Sequence, residues 1–316
     1  MLLSSIVPMH IPDGFLSTLV SLLLWLVTIL VVGYALKRVS ADLGERQVPL
    51  MGVLAATIFA GQMLNFTVIG GTSGHLMGAA IATILLGPWA AILVMTCVVA
   101  IQALIFQDGG LLVLGANIFN MGIVGVLVSY FTYHTVKRLA GGRSWGTWVG
   151  GFTAAWLSIF IASLAVALQL AFSNTSPADL AIPAMAAIHA LIGIGEGLIT
   201  VGALAFVHST RPDLTSGGTQ AAVGGRLVWA AGLLIALALA IASPLASAFP
   251  DGLERVAEQQ GFLETARGPL YNLIPDYALP GVSNEALATI LAGIIGTLIV
   301  FFVALAVAYT RRKKTT

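Results

Sequence analysis

Nine apolar stretches, most of them close to twenty residues long, run through this 316-residue sequence and leave it few folds to choose from. About 20 apolar residues in a helix cross the hydrocarbon core of a bilayer. Inside lipid the backbone must satisfy its own polar groups, which selects helices. Hydropathy places the runs at 17–36, 48–68, 73–86, 88–106, 111–133, 148–171, 181–207, 227–246 and 286–309. With 58% hydrophobic and 9% charged residues, the chain could not cover a soluble surface. The expected fold is all-α: a polytopic helical membrane protein with a seven-span N-terminal bundle and a two-span C-terminal module. The third run, about 14 residues at 1.5 Å each, is too short to cross upright and reads as a re-entrant or kinked element. Between the seventh and eighth runs lies a Gly/Ser/Thr-rich linker at 211–223, the one domain boundary the composition marks.

Charge gives the chain an orientation. With the N-terminus outside, Lys37, Arg38, Arg46, Lys137, Arg138, Arg143, Arg211, Arg226, Arg311, Arg312, Lys313 and Lys314 fall on the cytoplasmic side. Only Arg255 and Arg267 remain outside, as the positive-inside rule requires. The same topology puts Asp13, Asp108, Asp179, Asp251, Glu254, Glu258, Glu264, Asp276 and Glu285 on the outer face, a bias that favours a cationic substrate. A net charge of +1, with RRKK at the C-terminus as the sole basic cluster, argues against nucleic acid as a partner. The single cysteine, Cys97, lies inside an apolar run, reads as a small core filler, and excludes an internal disulfide.

Two histidines share the predicted outer rim. His10 stands in MHIPDGFLS before the first span, and His75 in IGGTSGHLMG between the second and third, 65 positions later. Either alone is explained as an interfacial polar residue. As a pair, one in a chain end and one in a Gly-rich turn, they also make a candidate metal site.

MHIPDGFLS, NFTVIGGTSGHLMGAAIATILLGPWAAILVM, FQDGGLLVLGANIFNMGIVG and IHALIGIGEGLIT, in that order, resemble the CbiM/NikM family, the substrate-binding membrane subunits of nickel and cobalt energy-coupling-factor transporters. The likeness covers about residues 9–208. PDGLERVAEQQGF and IPDYALPG resemble the PDGLE accessory module that is often fused to that subunit. The implied domains are a metal-binding membrane domain at 9–210 and a PDGLE-like module at 224–316, with two spans and an outer loop. The resemblance implies that the metal is held by the terminal amine of Met9, the deprotonated backbone nitrogen and ring of His10, and the ring of His75. Such a ligand set closes a five- and a six-membered chelate ring, and four nitrogens in a plane suit Ni(II), with Co(II) also possible. The amine exists only if Met9 is the first residue, so residues 1–8 read as a misassigned start. The implied localisation is the cell membrane, with the metal site outside and the C-terminus inside. No enzyme activity and no resident cofactor are implied; the ion is cargo. The implied partners are ATPase subunits and a transmembrane coupling subunit.

The remaining candidates are weaker. Glu196 in GIGEG, the one acid placed within the membrane, stands two helical turns from His189 and marks either an ion pathway or a structural hydrogen bond. A relay through these two residues is the basis of the alternative reading, a self-sufficient secondary transporter or channel. Gly193 and Gly197 read as a close helix contact. Asn65, Asn117 and Asn120 read as bonding backbone or supporting groups near the outer cavity. His134 and His208 read as interfacial. Asp13 either caps a turn or orients a ligand imidazole. No GxxxxGK[ST] loop and no HExxH occurs, which leaves neither ATP hydrolysis by that route nor a zinc hydrolase of that type.

Overall fold

A computed structural model describes residues 9–42, 47–211 and 225–311; the expected misassigned start at 1–8 and nearly all of the linker lie outside these residues. The described residues form α1 (Thr18–Asp42), α2 (Gln47–Gln62), a hairpin of β1 (Phe66–Val68) and β2 (Thr72–Gly74), α3 (Ala79–Leu86) and α4 (Pro88–Ile101). There follow α5 (Leu114–Asn117), α6 (Gly125–Leu139), α7 (Trp145–Phe172), α8 (Ala178–Thr210), α9 (Gly225–Ala242), α10 (Gly252–Gln260) and α11 (Glu285–Arg311).

Six segments among the described residues are long and apolar enough to cross a membrane: 18–40, 88–106, 114–139, 145–172, 178–210 and 285–311. The chain is therefore a mostly helical membrane protein. The nine-span expectation counts three shorter elements besides these. They are α2 with 16 residues, the apolar helix Trp229–Leu245, and α3 with eight. The third run is thus a half-helix preceded by a hairpin, and strand, though slight, enters a fold expected to be wholly helical. The hairpin pairs Phe66 with Gly74 and Val68 with Thr72 across Gly70 and Gly71, whose φ values of 98° and 74° suit glycine.

Burial separates lipid-facing from packed helices. Only 17% of α1's apolar window is buried, and Leu19, Leu22, Leu23, Leu26, Ile29 and Leu30 point outward. In the 114–139 segment the share is 67%. An exposed leucine stripe of that length is stable only against lipid. Small residues bring the helices together: an added Cβ at Gly193 or Gly197 of α8 would collide with the rings of Trp156 or Phe152 of α7, so both glycines do mark a close contact. The helices α9 and α11 lie along α2, with Ala56, Ala236 and Phe301 buried between them.

Two helices break near the peptide that carries His10. After α4 the chain makes a π turn (Gln102–Phe106) and then a left-handed residue, Gln107 (φ 56°), and α5 joins α6 through a second π segment (Ile118–Val124). Such widened turns leave the regular ladder and re-aim the residues beside them. Here they bring Asp108, Asn117 and Asn120 inward, all buried.

Candidate metal centre

The peptide Met9–Phe15 is laid against the 108–117 stretch by hydrogen bonds along its length. Ile11 donates its N–H to Asn117 Oδ1 (3.1 Å), and its carbonyl accepts from Asn117 Nδ2 (3.1 Å) and from Gly110 N (3.0 Å). The Asp13 carbonyl accepts from Arg267 N (2.7 Å), an isolated bridge to the C-terminal module. Asp13's carboxylate accepts from Leu111 N and Val113 N (3.1 and 3.2 Å), so it caps the 111–113 turn and not a ligand imidazole. Two glycines make the close approach possible: a Cβ on Gly109 (φ 97°) would stand 3.0 Å from the Cβ of His10, and one on Gly110 would overlap the carboxylate of Asp13.

This packing buries His10, 4% exposed, with its ring centroid 5.6 Å from that of His75 and the two rings 70° apart. The two histidines do meet. They share a cavity of about 100 Å³ with Met9, Asn117, Asn120, His189 and Asp251. Both ring nitrogens of His10 are buried without a hydrogen-bond partner. These open nitrogens, one of them 3.1 Å from Asp108 Oδ1, make the ring a candidate ligand. His75 is set differently: its Nδ1 donates to the Leu76 carbonyl at 3.1 Å, which leaves Nε2 as the lone-pair nitrogen. An imidazole whose other nitrogen bonds a carbonyl is oriented as a metal ligand. Burial holds the His75 imidazole down to about pKa 4, so it is neutral and free of a competing proton near neutral pH.

Asp108 was placed on the outer face from sequence, without a role. Its Oδ1 lies 3.1 Å from His10 N, which donates to it, and 3.1 Å from His10 Nδ1, where the alignment is not that of a hydrogen bond. Burial lowers the His10 pKa, but the adjoining Asp108 carboxylate more than offsets this and holds it above its usual value. Burial likewise raises Asp108, and the His10 and Tyr277 contacts reverse that, holding it low. Oδ2 accepts from the buried Tyr277 hydroxyl at 2.6 Å. The local signal for Asp108 was its place before the paired glycines of FQDGG. Nothing local pairs it with a tyrosine 169 positions away.

The PDGLE segment closes the cavity from the other side. The Pro250 carbonyl accepts from Ser73 N (2.8 Å) and Thr72 Oγ1 (3.0 Å), and the Phe249 carbonyl from Ser73 Oγ (2.8 Å), which ties the segment to the turn that carries His75. Asp251, 5% exposed, caps α10 by accepting from Glu254 N at 2.8 Å; burial raises its carboxyl to about pKa 7. Gly252 lies against the His189 ring, where a Cβ would stand 3.0 Å from Nε2.

The other candidates take structural places. Glu196 accepts from Met77 N (2.7 Å) and Gly78 N (3.0 Å), fixing the backbone just beyond His75. His189 donates from Nδ1 to the Met185 carbonyl (2.8 Å) and lines the cavity, with no bond to Glu196. Asn120 pairs with Gln169, and the Asn65 carbonyl accepts from Ser247 N. His134 bonds the Tyr130 carbonyl, and His208 packs edge-on to Trp148.

Comparisons with known proteins show the family. Residues 10–214 match the family model described as CbiM, cobalt uptake substrate-specific transmembrane region, and residues 226–313 match that of the PDGLE domain. A protein of Archaeoglobus fulgidus, provisionally named fused nickel transport protein NikMN, is 40% identical over 97% of this chain and the whole of its own length. The fused nickel transport protein NikMN of Rhodobacter capsulatus is 33% identical over 65% of this chain and 63% of its own. The crystal structure of a truncated transition metal transporter superposes with a TM-score of 0.57 at 32% identity, over 63% of this chain and 98% of its own. The chain belongs to the CbiM/NikM family of nickel and cobalt transport proteins, in the fused form that carries a C-terminal PDGLE domain.

Proposed function

We propose that this chain is the substrate-capturing subunit of an importer of the energy-coupling-factor type, taking Ni(II) or Co(II) at the extracytoplasmic face of the cell membrane. The observation that carries the reading is the meeting of His10 and His75, 65 positions apart, at one buried cavity, with neither ring nitrogen of His10 hydrogen-bonded. The ligands are the terminal amine of Met9 in a chain that starts there, the amide nitrogen and Nδ1 of His10, and Nε2 of His75. Nitrogen donors of this kind suit Ni(II) and Co(II). Binding releases the amine and amide protons, so affinity falls in acid.

The division of labour is a metal-binding membrane domain at 9–210 and a PDGLE module at 224–316 docked over its outer rim. Lys137, Arg138 and Arg311 lie in the last turns of α6 and α11, the ends that the charge bias assigns to the cytoplasm, which supports a cytoplasmic C-terminus. The sequence has no phosphate-binding loop, which supports separate ATPase and coupling subunits as the source of energy. Nickel and cobalt accumulation by cells tests this. Uptake is expected only when this chain is produced with ATPase and coupling subunits, and uptake by the chain alone in energised vesicles would favour a self-sufficient transporter.

A further inference from the structure

The C-terminal module touches the cavity directly through Asp251 and Gly252, yet its firmest hold on a candidate ligand is indirect. Tyr277 lies in IPDYALPG, on the module's outer loop, and is buried with its ring stacked on Phe106 at 4.9 Å between centroids and 14° between planes. Phe106 ends the π turn that delivers Asp108, so one side chain of the module braces both the turn and the carboxylate. The other oxygen of that carboxylate stands 3.1 Å from His10 N and 3.1 Å from His10 Nδ1. A six-membered chelate needs those two nitrogens turned to a common point. Asp108 Oδ1, bonded to the amide and equally near Nδ1, keeps both on one side of the residue.

We infer that Tyr277 is a positioning residue for metal capture: its hydroxyl fixes Asp108, and Asp108, bonded to the His10 amide and lying beside its Nδ1, keeps the two chelating nitrogens on one side of the residue. The inference rests on the metal-site reading above and assigns the C-terminal module a defined part in it. Without the hydroxyl, Asp108 is free to rotate about its side chain, and the ordering of His10 must be supplied by the metal at the moment of binding, which lowers affinity. The hydroxyl needs no contact with the ion to act in this way. Residues that orient a metal ligand without touching the metal typically change affinity about 10–100-fold.

The test measures nickel affinity by competition titration and the visible d–d absorption of the nickel complex. It uses the full chain, starting at Met1 or Met9, whichever binds nickel in the unsubstituted sequence. Y277F keeps the ring and its stacking on Phe106, and is expected to bind nickel about tenfold or more weakly, with a shifted absorption. D108N is expected to lose at least as much, and the double variant no more than D108N, because the tyrosine acts through the carboxylate. p-Aminophenylalanine at position 277 restores a donor and is expected to recover most of the affinity; it also serves if Y277F does not fold. Wild-type affinity and absorption in Y277F, additive losses in the double variant, or no recovery by the amine would each overturn the inference. His75→Ala in the same assay separates the two levels. If it binds like wild type, the metal-site reading itself fails, whereas its loss beside an unaffected Y277F condemns only the role of Tyr277.

Discussion

The two modules of this chain are built on opposite terms. The N-terminal bundle carries its information in long apolar helices packed through small residues, and it supplies His10, His75 and Asp108. The C-terminal module packs two apolar helices along the bundle, and its stretch from Phe249 to Tyr277, mostly short turns, is held by side-chain and backbone bonds to the bundle. The bundle presents the candidate ligands and the module braces what holds them. Pro250 grips the turn that carries His75, and Tyr277 grips the aspartate beside His10. On the proposed reading, the metal centre is divided between a part that binds and a part that orders.

The sharpest way to break this comparison is to remove a ligand from the bundle. His75→Ala is expected to weaken nickel binding by more than about 100-fold, beyond what the loss of a supporting residue costs, while helical content stays as it is. Equilibrium binding and circular dichroism on the same sample check both halves.

Removing the module should do less. A chain ending near Gly217 keeps every proposed ligand but loses the Pro250 and Tyr277 contacts, so its nickel affinity or uptake is expected to fall about tenfold, with the bundle still folded. Undiminished uptake by the truncated chain with its partners would show that the ordering part is dispensable.

Glu196 sharpens the contrast within the bundle. Its two oxygens accept the Met77 and Gly78 amides, and an amide side chain has only one acceptor oxygen for two donors. Glu196→Gln is therefore expected to destabilise the bundle by about 1.5–3 kcal/mol, the range for hydrogen bonds to charged groups, and to weaken nickel binding through the loop of His75. Thermal unfolding in detergent checks the first effect. Loss of transport with unchanged stability and binding would instead return Glu196 to an ion pathway.

Much of this was legible in sequence, for identifiable reasons. Hydropathy integrates over a span, so the long helices and the short third element could be read directly. Charge bias then set His10 and His75 on one rim. The breaks at Gln102–Phe106 and Ile118–Val124 were not legible, because a π turn changes which carbonyl an amide reaches without changing how apolar the segment is. Nor was the Tyr277–Asp108–His10 chain. It joins positions 277, 108 and 10 across two modules, and no local spacing encodes such a contact. Asp13 was read as a turn cap or an imidazole partner; only the placement of the 111–113 amides decided for a cap, and of a different turn.

The smallest effect concerns acid. Burial lowers the His75 pKa from 6.5 to about 4. Between those values the unfolded chain binds a proton there that the folded one does not, so this group costs stability as pH falls through that window. The metal-free melting temperature of wild type should therefore drop more steeply from pH 6.5 toward 4 than that of His75→Ala. Equal slopes would mean that the ring is not held neutral.

The central claim is a nitrogen chelate at Met9, His10 and His75, and nickel X-ray absorption on the loaded chain with Met9 as first residue tests it most directly. The account predicts four nitrogen neighbours in a square plane, lost on acetylating the terminal amine and lost again in His75→Ala. A six-coordinate, oxygen-rich shell that both changes leave unaltered would contradict it.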